Sequence, residues 1–361
     1  MEIIVVGSGV IGLNVAAKLA KEHKVRLISS EINSSTSYAN AGQVVPSHLV
    51  PFANTVRSNS FLKSIMDPSP GFVGMENSFT AWKYVLGMRK YKPEISGELA
   101  YLLRRNTELI QDLPFYHKTG MLEIFIDKDK FKNRKIDVKH QVLSSQEVKD
   151  RLPNITNKVV GGVLYSQDGY IHNHEYARYL KNGSFEIIND HILSWSEVGN
   201  RVEVKGSFNE YNCDLMVLAT GASNELLYKL PVKVLVGQGY GFEIKSLNTF
   251  KQAVILSEVH TSLSCQGKIK VAGRLFLKKD ISNEVHYPTI AKMYSELQDY
   301  FDFGNQIPDK AWTGFRALSE NGLPIIKKFG RVIVATGHGM LGISLGAVTA
   351  DIVEDLVNAT V

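Results

Sequence analysis

Glu2 leads into an apolar run through Val6, residues 13–21 carry apolar side chains at helical spacing, and residues 25–28 are strand-like. That order predicts strand, glycine turn, helix and strand over residues 2–31, a βαβ unit. Strand patterns recur at residues 202–204 and 215–219, the latter closing on Ala219-Thr220-Gly221, and at 332–335, which closes on Thr336-Gly337. Three strand ends far apart in sequence thus meet glycine turns. Ligands of open α/β sheets sit beyond the carboxyl ends of strands, so one composite site is expected. Residues 82–113 predict an amphipathic helix, and 120–126, 237–244 and 268–277 predict strands of a separate sheet. No internal repeat, low-complexity tract or long charged linker divides the two kinds of segment, so interleaved domains are expected.

Composition narrows the class. At 361 residues, 44% hydrophobic and 21% charged, the chain has the balance of a soluble globular protein with room for two domains. The formal charge of +5 is spread among acids rather than gathered in runs, which gives nucleic-acid binding little support. Cys213 and Cys265 lack C-x-x-C spacing, so neither a zinc site nor a disulfide framework is indicated, and a reducing, cytoplasmic setting is expected. The start at Met1-Glu2 lacks the features of a secretory signal. Residues 332–350 contain no Lys, Arg, Asp or Glu and approach the length of a membrane span. The break at Thr336-Gly337-His338-Gly339 predicts instead a buried strand followed by a buried helix.

Gly7-Ser8-Gly9-Val10-Ile11-Gly12 follows a strand and opens a helix, the context in which a G-x-G-x-x-G pattern carries meaning. Gly7 permits the tight turn, Gly9 lets backbone approach a pyrophosphate, and Gly12 allows helix-to-strand packing, with the anion at the helix start. The acid that grips ribose hydroxyls is expected about 20 residues onward. Two alternatives stand there: Glu31 reaches back across the turn, or Ser29, next to Ser30, makes an uncharged hydrogen bond.

Beyond the glycine turn, Ser37-Tyr38-Ala39-Asn40-Ala41-Gly42-Gln43, followed by Pro46 and Pro51, resembles the D-amino acid dehydrogenase small-subunit family. Trp312-Thr313-Gly314-Phe315-Arg316 with Asn321-Gly322-Leu323-Pro324 resembles the W-x-G-x-R…D-G-x-P block of the wider D-amino acid oxidase and glycine oxidase superfamily. Thr336-Gly337-His338-Gly339-Met340-Leu341-Gly342 resembles the closing flavin motif of the same dehydrogenases. The blocks occur in the family's order over nearly the whole chain.

The resemblance implies an α/β fold, α+β overall: a Rossmann-like FAD-binding domain interleaved with a smaller substrate domain on a mostly antiparallel sheet. Segments 1–45, 141–225 and 305–361 are assigned to the first, and 46–140 and 226–304 to the second. It implies noncovalent FAD, since no cysteine falls in the closing motif. The expected FAD contacts are Gly7, Gly9, Val10, Ile11, Gly12, then Ser29, Ser30 and Glu31, the small loop Ala41-Gly42-Gln43, and Ile192, Thr220 and Gly221. Gly337, Gly339, Met340, Leu341, Gly342 and Ile343 complete the set, with the start of a helix expected over 343–357 facing negative charge on the reduced ring. The opening and closing turns are expected to grip opposite ends of one FAD.

For substrate, the resemblance puts Arg316 on a carboxylate, which a guanidinium engages through two parallel hydrogen bonds. A structural ion pair is its alternative role. Tyr240 is a candidate over the ring or substrate, and His338 either joins the site or packs and caps. Met340 stands where glycine oxidase carries a second arginine, which leaves the carboxylate clamp different or weaker. The implied reaction is hydride transfer from the α-carbon of an amino acid to flavin N5, with D-proline and hydroxyproline as candidate substrates. Electrons then pass to a quinone, another carrier or oxygen, and peripheral association with the inner membrane face or partner subunits fits that role. A glycine/sarcosine-type oxidase, a 2-hydroxy-acid oxidoreductase and a flavin-bearing subunit of a larger dehydrogenase are the alternatives.

Overall fold

A computed structural model of the chain describes residues 1–30, 36–47, 73–75, 94–134, 136, 138–152, 154–245, 250–277 and 282–359. Strand β1 (Glu2–Val6), helix α1 (Val10–Leu19) and strand β2 (Lys24–Ile28) form the expected βαβ unit, with β1 and β2 parallel in full register. The helix begins at Val10, three residues earlier than the apolar spacing predicts, because Gly9 is the N-cap and Gly12 lies inside the first turn. Six strands build this sheet in the order Glu186–Ile188, β2, β1, Leu215–Leu218, Val332–Thr336, Ile325–Phe329. Only the last pairing is antiparallel. The strand ends at Val6, Leu218 and Thr336 are therefore neighbours, and the turns that follow them open on the same side.

The apolar stretch 332–350 divides as its glycines predict. Val332–Thr336 is a fully buried central strand, and Gly342–Asn358 is a helix packed along α1. A Cβ on Gly346 would lie 2.9 Å from Asn14 Nδ2, so that glycine sets how closely the two helices approach. Lys18 ties them further, with Nζ 2.9 Å from Asp351 and 3.0 Å from Glu354. Among the described residues, no helix is long and apolar enough to cross a membrane.

The second sheet has nine strands and is mostly antiparallel, in the order Pro308–Leu318, Leu235–Ile244, Ile269–Leu277, Thr261–Cys265, Ala253–Leu256, Met121–Phe125, Gly161–Tyr165, Gln141–Ser144, with Val73–Met75 pairing beside Ile269–Leu277. Two stretches assigned by sequence to the dinucleotide domain hydrogen-bond into this sheet instead. Residues 141–165 supply its outer hairpin, and Pro308–Leu318 supplies its opposite edge. A short strand's partner is chosen by tertiary packing, so periodicity alone cannot allocate it. Of the helix expected at 82–113, Glu94–Ile110 is described and helical.

Candidate active site

A cavity of about 770 Å³ lies between the two sheets. Its wall carries the residues after all three strand ends: Gly7 to Ile11, Thr220 with Gly221, and Thr336 with His338 to Ile343. That volume falls within the range of about 300–1,000 Å³ for small-molecule and cofactor sites.

The glycine turn is sterically over-determined. Gly7 has φ +108°, and a Cβ there would stand 2.4 Å from the Ala219 carbonyl oxygen. A Cβ on Gly12 would stand 1.8 Å from the Gly7 carbonyl oxygen, so Gly12 serves helix-to-turn packing and is not on the cavity wall. The start of α1 has neither a side-chain cap nor an acid in its first turn, and the Gly342 helix start shares both features. The two starts stand side by side, with a Cβ on Gly342 only 3.7 Å from Val10 Cγ1, rather than at opposite ends of the cavity. Packing along the length of both helices forces that arrangement. Arg316 is the sole Lys or Arg among the described wall residues, so backbone N–H groups are what the glycine turn offers an anion.

Ser29 and Ser30 lie on the wall, and Ser8 Oγ donates to Ser29 Oγ at 3.1 Å, while Glu31 lies outside the described residues. Ile192 is also on the wall. Beside it, Asp190 is committed to folding, accepting from the Tyr211 hydroxyl at 2.8 Å and from backbone N–H groups including that of Ser207. Gly337 is absent from the wall; its φ of +77° turns the chain against Ser319 and Ile325.

Loop 36–43 arches over the same cavity, and the second sheet holds it in place. Ser264 Oγ and Gln266 Nε2 donate to the Ala41 carbonyl at 2.5 and 3.2 Å, and Lys270 Nζ donates to the Tyr38 carbonyl at 3.1 Å. Ala41, Gly42 and Gln43 all face the cavity. The missing Cβ of Gly42, however, makes room for the Ile171 carbonyl at 2.3 Å and Asn173 at 2.5 Å, so that glycine is needed behind the loop. Sequence reasoning missed Ser37, whose Oγ accepts from the Val10 N–H at 2.9 Å, and Thr36, whose Oγ1 accepts from the Phe315 N–H at 2.9 Å.

The W-x-G-x-R block has a mechanical explanation. Gly237, Gly239 and Gly241 pair across the sheet with Arg316, Gly314 and Trp312, so these six share one face. The Trp312 ring covers Gly241, the Arg316 guanidinium covers Gly239, and Thr36 packs on Gly314; added Cβ atoms would meet them at 2.6, 2.3 and 2.9 Å. Alternation along the strand then turns Tyr240 to the opposite face. It is 4% exposed, packs edge-on to Phe276 at 5.7 Å within the second core, and is not on the cavity wall, contrary to the sequence expectation.

Arg316 is on the wall and donates through Nη1 to the Arg274 carbonyl at 2.6 Å; no carboxylate partners it among the described residues. Part of its surface opens onto the cavity, yet the protein around it is dense enough that burial lowers its pKa to about 10. His338 is also on the wall, but burial pulls its pKa down to about 3 and Nε2 lies 2.9 Å from Thr349 Oγ1. It is a neutral, fixed ring. Met340 stays 46% exposed at the same turn.

The FAD dependent oxidoreductase family, abbreviated DAO, matches residues 2–356. The chain belongs to that family. A D-amino acid dehydrogenase of Helicobacter pylori is 24% identical over 397 aligned positions, covering 98% of this chain and 94% of the relative. One from Vibrio atlanticus (strain LGP32) is 24% identical, covering 100% and 96%. The fold is that of glycine oxidase from Bacillus cereus ATCC 14579, at a TM-score of 0.74, 17% identity and coverage of 100% and 95%. L-proline dehydrogenase from P. horikoshii gives 0.71, 16%, 99% and 93%.

FAD is therefore the family's cofactor, and the wall suits it. Two helix starts whose N-cap residues offer no side-chain cap, and a glycine cradle in which side chains do not fit, match a dinucleotide with a charged pyrophosphate.

Proposed function

We propose that the chain catalyses the oxidative deamination of an amino acid, of D configuration as in the relatives named D-amino acid dehydrogenase, with Arg316 holding the substrate carboxylate. The observation that carries this reading is Arg316 itself: a cation turned onto the cofactor cavity with one backbone acceptor and, among the described residues, no counter-charge. A buried charge is costly unless paired, so the site favours an anionic group on its ligand. With a pKa near 10 the guanidinium remains charged at neutral pH, and the donors left beyond the Arg274 carbonyl suit a two-point grip. When bound, FAD supplies the two-electron acceptor for the hydride leaving the α-carbon.

The chain's own residues then bind and orient. Gly239 lets the guanidinium lie flat on the sheet, and the Arg274 carbonyl fixes its rotation. Loop 36–43 walls the site from the other side. His338, neutral and tied to Thr349, is a prop rather than a proton acceptor. Neither cysteine is on the wall, which supports noncovalent FAD, and the dehydrogenase relatives favour a quinone or another carrier over oxygen as final acceptor.

The test is anaerobic reduction of the FAD-loaded chain by D-proline, D-alanine, glycine, sarcosine and 2-hydroxyglutarate, followed through the flavin colour. Bleaching by the D-amino acids is the expected outcome. Bleaching by 2-hydroxyglutarate alone, or by nothing in the panel, overturns the proposal.

A further inference from the structure

The hairpin of Ala253–Leu256 and Thr261–Cys265 turns polar side chains toward the cavity where the dinucleotide motifs play no part. Ser257 Oγ donates to Glu123 Oε1, and the other oxygen of that carboxylate accepts from the Tyr165 hydroxyl at 2.7 Å. A hydroxyl has one hydrogen, so Ser257, on the wall, presents lone pairs to the cavity and is an acceptor there. Ser262 is also on the wall, and its hydroxyl has no partner among the described residues, which leaves it able to donate. In register it faces Ile255 on one side and Ala272 on the other, both wall residues. An acceptor and a donor thus sit on the hairpin beside the apolar Ile255 and Ala272.

We infer that the substrate is an amino acid whose side chain ends in an uncharged hydrogen-bonding group, a hydroxyl or primary amide, received by Ser257 and Ser262. The inference rests on the carboxylate role of Arg316 given above. The guanidinium lies over Gly239, and the strand carrying Gly239 is two strands from that of Ser262, a lateral separation of about 10 Å. A substrate gripped at one end by Arg316 reaches the serines with the end of its side chain. Charge on that group is disfavoured from both directions. His260, the neighbouring wall residue, is held neutral by burial, which lowers its pKa to about 4, so among the described residues Arg316 is the one cation on the wall and none stands beside the serines to meet an acidic side chain. The Glu123 oxygens are already engaged by Ser257 and Tyr165, so among the described residues no available carboxylate there faces a basic one.

Matched pairs test this. The FAD-loaded chain is reduced anaerobically by D-threonine against D-valine and by D-asparagine against D-leucine, pairs alike in shape and different in polarity. The polar member should be favoured about 10-fold in rate over dissociation constant, the worth of one well-made hydrogen bond. Ser262→Ala and Ser257→Ala should each pull that ratio toward one, and Ser262→Thr should retain it. Binding of 3-hydroxybutyrate against 3-methylbutyrate, read as perturbation of the flavin spectrum, gives the same comparison without turnover. Reduction with no preference for the polar member, or a preference that survives both alanine variants, overturns the side-chain inference alone. A flavin that no amino acid reduces overturns the amino-acid reading and this inference with it.

Discussion

The two halves of the cavity wall are built by opposite means. On the dinucleotide side, contiguous residues do the work: Gly7 to Ile11 and Gly339 to Ile343 present backbone at two helix starts whose N-cap residues make no side-chain cap. On the sheet side, the functional groups are side chains drawn from separate strands, with Arg316, Ala272, Ser262 and Ile255 meeting only because their strands lie near one another. Backbone recognition tolerates side-chain changes but not added atoms, whereas side-chain recognition tolerates crowding but not the loss of a group. The same cavity should therefore fail in two distinguishable ways.

The largest effect is expected from Gly12→Ala. Its Cβ would stand 1.8 Å from the Gly7 carbonyl oxygen, both backbone positions are fixed, and relief requires moving α1 off the sheet. A destabilisation of about 3 kcal/mol or more, seen as a lowered Tm with loss of bound flavin colour, is expected. Full flavin content at an unchanged Tm would contradict the steric account.

Arg316→Met should do the reverse, leaving flavin bound while kcat/KM for a carboxylate substrate drops on the order of 100-fold, mainly through KM. Gly239→Ala sharpens the contrast, because a Cβ 2.3 Å from Arg316 Nη1 displaces the guanidinium without removing its charge. Flavin loss in either variant would show that the two sides are not separable.

The next expected effect is on pH dependence. His338 has its pKa lowered by burial to about 3 from an ordinary 6.5, so between those values the unfolded chain holds a proton that the folded chain does not. Stability is then fully present above pH 6.5 and declines as pH falls toward 3. His338→Asn should flatten the fall of Tm on acidification, and an unchanged slope would argue against a neutral buried ring. The smallest effect is predicted for Tyr240→Phe, with kcat/KM within about twofold because the ring sits on the far face of the strand. A large loss would put the hydroxyl back at the site.

How much was legible follows the same division. The roles of Gly7 and Gly12 could be read directly, since strand, turn and helix adjoin in the sequence and their steric demands are local. Arg316 was accessible through its motif, although the reason for the motif's spacing, a guanidinium over Gly239 and an indole over Gly241, needed the pairing register. Tyr240 was misplaced although 237–244 was read as a strand, because which face of a strand meets the cavity is decided by packing: the pairing register puts Gly239 and Arg316 on the cavity face and sends Tyr240 to the other. Residues 141–165, allotted with the rest of 141–225 to the dinucleotide domain, pair into the second sheet, a partnership that nothing in a short apolar run specifies.

The sequence by itself determined the dinucleotide cradle and the burial of the 332–350 stretch, because each depends on neighbours within a few residues. Only the tertiary structure decided which side chains meet across the cavity, that the two helix starts stand side by side, and that Arg316 has no counter-charge among the described residues. Those facts depend on strand order and helix packing between segments hundreds of residues apart, and the free energy of such contacts is set by which surfaces meet rather than by local pattern.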